Sequence, residues 1–335
     1  MSARAIIFGC AGPVLRATER SFFEQTQPWG FILFARNLEN EAQTKKLIHD
    51  LKQTVDYPVH IFIDEEGGRV SRLRAIGGWI GPPAASFLQT NAPIKLCKQA
   101  IYDNYYAIGA RLADLGFTAD CAPVLDIPVQ DADPIIGDRA FSLDYDKIAP
   151  LASACINGLF DAGIAGVIKH IPGHGRADVD SHKSLPIVTT KHAQLSASDF
   201  HPFKQLRKAK MAMTAHVVYS DIDPDAPATT SKIIIQDIIR KEIGFDGLLM
   251  SDDLDMEALN GSLSKRAEQS LLAGCDMLLH CSGDLTAMQE LAVIAPILHG
   301  KALSRAELAS PQKKALNIDP EQAIKQAKAS FEAMG

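Results

Sequence analysis

The sequence has no run approaching the roughly 18 consecutive apolar residues that a membrane-crossing helix needs, so no membrane span is expected. It has no surplus of positive charge either. The 34 Lys and Arg residues face 40 Asp and Glu, a formal net charge of -6. That disfavours a dedicated polyanion binder, because neutralising phosphates needs a basic surface, and nucleic acid is not an expected partner. None of the six cysteines stands in a Cys-x-x-Cys pair, and most sit in apolar segments. This is the usage of buried reduced thiols rather than of disulfides. No Gly-x-Gly-x-x-Gly turn follows the first apolar run, which weakens a dinucleotide-binding reading. Low-complexity segments and strong internal repeats are lacking. At the start of the chain, Arg16, Glu19 and Arg20 follow the short apolar run Ala5–Phe8 too soon for a secretory leader. Together these features favour the cytoplasm.

What is present is an ordinary globular composition, with 47% apolar and 22% charged residues in 335. Eight short apolar runs alternate with helical patterns. The runs are Ala5–Gly9, Gly30–Ala35, Val59–Asp64, Thr118–Val124, Gly166–His170, Ala212–Val217, Gly247–Ser251 and Asp276–His280. The helical patterns cover Thr18–Thr26, Glu41–Thr54, Ala92–Leu115, Asp146–Ala162, Ser198–Ala209, Ser231–Ile243, Leu263–Ala273 and Leu285–Leu298. Near-continuous apolar strands suit a parallel sheet covered on both faces. A β-then-α unit repeated eight times argues for an α/β fold of the (β/α)8 TIM-barrel type over an open doubly wound sheet. We expect one domain, a catalytic barrel over residues 1–310, with a helical tail over 311–335 packed on it.

In such a barrel the chemistry gathers where strands end. Here the strand ends carry Arg36, Asp64 to Glu66, Asp126, Lys169 and His170, His216, Ser251 to Asp253, and His280. Each acid alone is equally at home as a helix cap or turn former; several ionisable groups converging on one mouth are not. The longest informative segment is Lys169-His170-Ile171-Pro172-Gly173-His174-Gly175-Arg176-Ala177-Asp178-Val179-Asp180-Ser181-His182. Asp180 and His182 stand two apart, so on extended backbone they face the same way. A carboxylate beside an imidazole fixes its tautomer and raises its basicity, which suits a group that gives and then takes a proton at neutral pH. The same loop offers metal-ligand types in His170, His174, Asp180 and His182, but no recognised ligand spacing, so no metal or other cofactor is expected.

The segment from Lys169 to His182 resembles the KH(F/I)PGHG…D-S-H signature of the family 3 glycoside hydrolases. Within them it is similar to the bacterial single-domain β-N-acetylglucosaminidases of peptidoglycan recycling. Further resemblances follow in order along the chain: Gly30 to Asn37, Ile63-Asp64-Glu65-Glu66-Gly67-Gly68-Arg69-Val70, Ile136-Gly137-Asp138-Arg139-Ala140-Phe141 and Ser251-Asp252-Asp253-Leu254-Asp255-Met256. They span about residues 5 to 300. The departures are Glu65 in place of the usual Gln, Ile171 in place of a common Phe, and Asp255 where Ser or Asn is frequent.

The resemblance implies Asp252 as nucleophile, His182 as acid/base with Asp180 as its partner, and Asp64, Arg72, Arg139, Lys169 and His170 as the residues that hold N-acetylglucosamine. It implies a retaining hydrolysis through a glycosyl ester, releasing terminal β-linked N-acetylglucosamine from 1,6-anhydro-N-acetylmuramyl peptides. The expected partner is thus a small carbohydrate. The sequence leaves the oligomeric state open and favours a monomer. A phosphorylase using the same Asp and His is the alternative.

Overall fold

The computed structural model describes residues 2–89, 92–130, 132–181, 184–311 and 319–335. Eight strand positions run in chain order: β1 Arg4–Gly9, β2 Pro28–Leu33, β3 His60–Ile63, β4 Ala119–Asp120, β5 Ile168–Ile171, β6 Met211–Thr214, β7 Leu248–Asp253 and β8 Met277–His280. Neighbours pair in parallel from β5 through β6, β7, β8, β1, β2 and β3 to β4. The ring closes because Ala165–Gly166, just ahead of β5, pairs in parallel with β4, and Val124 bridges to Lys169. The sheet is therefore a parallel barrel of the (β/α)8 type.

The strands are apolar on both faces because both faces are covered. Ile6, Phe8, Phe31, Ile61, Ile63, Ile168, Leu249 and Leu278 pack outward against the helices. Ile7, Ile32, Phe62, Met213, Met250 and Leu279 fill the interior as a separate cluster. The alternation is the period-2 geometry of a pleated strand. The helices Ile94–Leu115 and Tyr145–Asp161 form the most extensive helix pair on the outside.

Two elements differ from the sequence reading. Of the expected helix Ser198–Ala209 only His201–Gln205 is helical, and a separate short helix, His192–Ala197, comes just before it. Pro202 stands at the start of His201–Gln205, where its missing N–H costs nothing, and Asp199 between the two helices takes Arg176 at 2.8 Å instead of continuing a helix. A helix at Gly300–Ala309 goes unforeseen. The segment Ile234–Ile243 is wound as a π-helix. The C-terminal helix Pro320–Glu332 lays Ala323, Ile324 and Ala327 against Ala107 and Ala110, and its Ser330 hydroxyl donates to Asp103 at 2.5 Å. All six cysteines are buried and unpaired. Among the described residues no helix is long and apolar enough to cross a membrane.

Candidate active site

A cavity of about 390 Å³ opens at the C-terminal ends of the strands. Asp64, Arg72, Arg139, Lys169, His170 and Asp252 all line it, with Glu66, His174, Ser181, Asp253 and Asp255. Residues more than 180 positions apart in sequence thus share one wall, because β3, β5 and β7 all deliver their C-terminal ends to the same mouth. His182 lies outside the described residues. Asp180 precedes Ser181 of the cavity wall, and its carbonyl accepts the Ser184 N–H at 3.1 Å.

The floor of the cavity is a buried charge network. Lys169 Nζ reaches Asp64 Oδ1 at 2.9 Å and Glu66 Oε1 at 2.7 Å. Arg139 grips Glu66 with two parallel bonds, Nε to Oε2 and Nη2 to Oε1, both 2.8 Å. Arg72 approaches Asp64 Oδ2 at 3.4 Å. Burial works against each charge, but the partners outweigh it. Lys169 is held protonated above its ordinary range by Asp64 and Glu66, and Glu66 is held far below the carboxylate range by Arg139 and Lys169. Asp64 is likewise lowered against its own burial, by Lys169 first and then Arg72. The result is a pocket of fixed charges whose remaining donors and acceptors face the cavity, suited to gripping hydroxyl and amide groups.

Asp126, at the end of the β4 passage, organises the loop after β5. Its Oδ2 accepts His170 Nδ1–H at 2.6 Å, and its Oδ1 accepts the backbone N–H of His174 at 2.7 Å and of His170 at 3.2 Å. Burial would raise this carboxyl; His170 and these hydrogen bonds hold it below its usual range instead. A carboxylate can only accept, so His170 carries a hydrogen on Nδ1 and presents Nε2 elsewhere. His174 is pushed down to about 4 by burial and then by the His170 charge, and its Nε2 meets Ser181 Oγ at 2.9 Å. Gly175 is demanded by close approach: a Cβ there would overlap the Ile127 carbonyl. The peptide bonds Ala122–Pro123, Lys169–His170 and Ile171–Pro172 are cis.

Asp252 lines the cavity at the end of β7, and its Oδ1 accepts the Asp253 N–H at 2.8 Å. Asp253 behind it is raised to about 6 by burial and by the Asp252 and Asp255 charges. His216 spends Nδ1 on Thr229 Oγ1 at 2.6 Å and Nε2 on the Asp253 carbonyl at 2.9 Å, so it braces the turn after β7. Two residues that carry much of this arrangement were not assigned roles from the sequence, Glu66 and Asp126. Glu66 shares the parity of Asp64 in the same motif, a signal that could have placed it on the same face. Asp126 had only its position after a strand.

The sequence profile of the glycosyl hydrolase family 3 N-terminal domain matches residues 11–318. Among curated proteins, a beta-hexosaminidase of Idiomarina loihiensis is 35% identical over 317 residues, 94% of each chain. Another, from Pasteurella multocida, is 39% identical over 260 residues, 76% of this chain and 72% of its own. Among solved structures, NagZ from Neisseria gonorrhoeae in complex with N-trifluoroacetyl-D-glucosamine superposes with a TM-score of 0.87 at 29% identity, covering 100% of this chain and 98% of its own. The same protein in complex with zinc ion gives 0.86 at 28% identity, with the same coverage. With a profile match over most of its length and these relatives, the chain belongs to glycosyl hydrolase family 3 and is a glycoside hydrolase.

Proposed function

We propose that the enzyme is a retaining exo-β-N-acetylglucosaminidase that removes terminal β-linked N-acetylglucosamine from peptidoglycan fragments. The observation that carries this reading is the single cavity lined by both Asp252 and the Asp64–Arg72–Arg139–Lys169–His170 set. Support also comes from relatives named beta-hexosaminidase and from an N-acylglucosamine bound to the Neisseria protein.

In this reading the sugar's hydroxyls donate to Asp64, while Arg72, Arg139 and Lys169 donate to its hydroxyl and acetamido oxygens. Such anchoring holds the anomeric carbon against the Asp252 carboxylate. Asp252 attacks that carbon and the glycosidic bond breaks toward the leaving oxygen, which takes a proton from His182. The glycosyl ester on Asp252 is then cleaved by water, whose proton returns to the now neutral His182. Asp180 orients the imidazole. The proposed location is the cytoplasm, supported by six buried unpaired thiols, the usual state in a reducing compartment.

The test is turnover of an aryl N-acetyl-β-glucosaminide by the Asp252→Ala and His182→Ala variants, with product analysis on a cell-wall fragment in buffers with and without phosphate. Loss of at least about 10²-fold in each variant, with free N-acetylglucosamine as product, is expected. Near-wild-type turnover in either variant would overturn the assigned roles. Formation of a sugar phosphate would establish the phosphorylase instead.

A further inference from the structure

Asp255 and His280 take no part in the proposed hydrolysis. We infer that, together with Asp253, they form a binding site for one divalent metal ion of the zinc class at the ends of β7 and β8. One ligand atom from each of the three residues lies within 4.8 Å of the other two. Met250 pairs with Met277 and, after a register shift, Asp253 with Leu279, which sets the end of β7 beside His280.

The imidazole supplies the independent observation. Its side chain is 0% exposed, yet Nδ1 has no hydrogen-bond partner among the described residues. Asp255 Oδ2 lies 3.3 Å from Nδ1, within ion-pair range but not in hydrogen-bond geometry. A proton on Nδ1 would draw that carboxylate into a charge-assisted hydrogen bond of about 2.7–2.9 Å, and the contact is longer. It equals the separation of two ligand atoms around a tetrahedral ion with ligand distances of about 2.0–2.1 Å, which stand about 3.3–3.4 Å apart.

The surrounding bonds suit such a site. Nε2 meets Ser282 Oγ at 3.0 Å, which fixes the ring and leaves the Nδ1 lone pair for the ion. Asp253 Oδ1 accepts the N–H groups of Asp255 and Cys281, both at 3.2 Å, so that carboxylate is oriented as well. Two carboxylates balance a double positive charge, and one imidazole with two carboxylates matches the borderline ions Zn²⁺ and Co²⁺ better than a hard, all-oxygen ion. Asp253, Asp255 and Ser282 line the cavity, so the ion has a route in and an open fourth position. Asp255 departs from the pattern of the resembled family, so the site is a property of this chain. Its consequence is mechanical: the ion ties the turn that follows Asp252 to the end of β8.

The experiment strips the full-length protein with a chelator and titrates it with Co²⁺, reading visible absorption and bound metal per chain. One Co²⁺ per chain, displaced by Zn²⁺, is expected. Affinity should fall at least about tenfold in both His280→Ala and Asp255→Ser, since even changes to groups that merely orient ligands cost that much. Asp255 has an exposed side chain, so its variant decides the matter should the His280 variant fail to fold. His182→Ala should keep the ion. No binding to the wild-type protein would overturn the site, as would an ion that survives Asp255→Ser or one lost with His182→Ala.

Discussion

Glu65 stands between Asp64 and Glu66 of the cavity wall but does not itself line the cavity. Its carboxyl is fully buried: Oε2 accepts the N–H groups of Arg72 at 2.7 Å and Leu73 at 2.9 Å, while Oε1 has no partner among the described residues. Burial dominates and pushes the group from its ordinary 4.5 up to about 7, against the hydrogen bonds from Leu73 and Arg72. A carboxyl raised on folding means that the folded state binds more protons than the unfolded one between those two values. Stability contributed by the protonated form is therefore complete below 4.5 and is lost as pH rises through about 7. At 1.36 kcal/mol per unit, the loss is about 3 kcal/mol. Glu65→Gln keeps an oxygen for the two N–H groups and removes the titration.

The measurement is the melting temperature of wild type and variant from pH 4 to 8. An unfolding entropy of about 2.1 cal/mol/K per residue gives about 0.7 kcal/mol/K for this chain, so the variant's advantage should be about 4 °C larger at pH 8 than at pH 4. A difference between the two proteins that does not change with pH would refute the reasoning, because it would mean that Glu65 titrates alike in both states.

Asp126→Asn should lower kcat on the aryl glycoside by about 10- to 100-fold, because an amide no longer fixes the His170 tautomer or draws in the His174 N–H as strongly; unchanged kcat would show that His170 needs no such support. Lys169→Met leaves Asp64 and Glu66 buried without their shared cation, and urea unfolding should report a loss of about 3–5 kcal/mol. A loss under 1 kcal/mol would mean that Arg72 and Arg139 alone suffice.

The barrel was legible because its signal is local. Eight apolar runs each bounded by a helical pattern follow from strands buried on both faces, and these survive in the structure within a few residues at each end. The helix Leu263–Ala273 has the bounds its periodicity predicts. Between Ser198 and Ala209 the pattern misled, because Asp199 is claimed by Arg176 from a different loop, a contact that no helical period records. The candidate site was legible as motifs, since chemistry at strand ends leaves charged residues at fixed places in the chain.

What the amino-acid order determined by itself was the strand count, the fold class and the residue types at the mouth. Only the tertiary structure decided how those charges are spent. Glu66, one acid in a run of acids, is the shared acceptor of Arg139 and Lys169. Asp126 orders a loop some 45 residues downstream, and His280 comes to stand 3.3 Å from Asp255. Pairing of this kind depends on through-space distances of about 3 Å, set by barrel closure and register, and distance in space is the one quantity a linear order of residues does not carry.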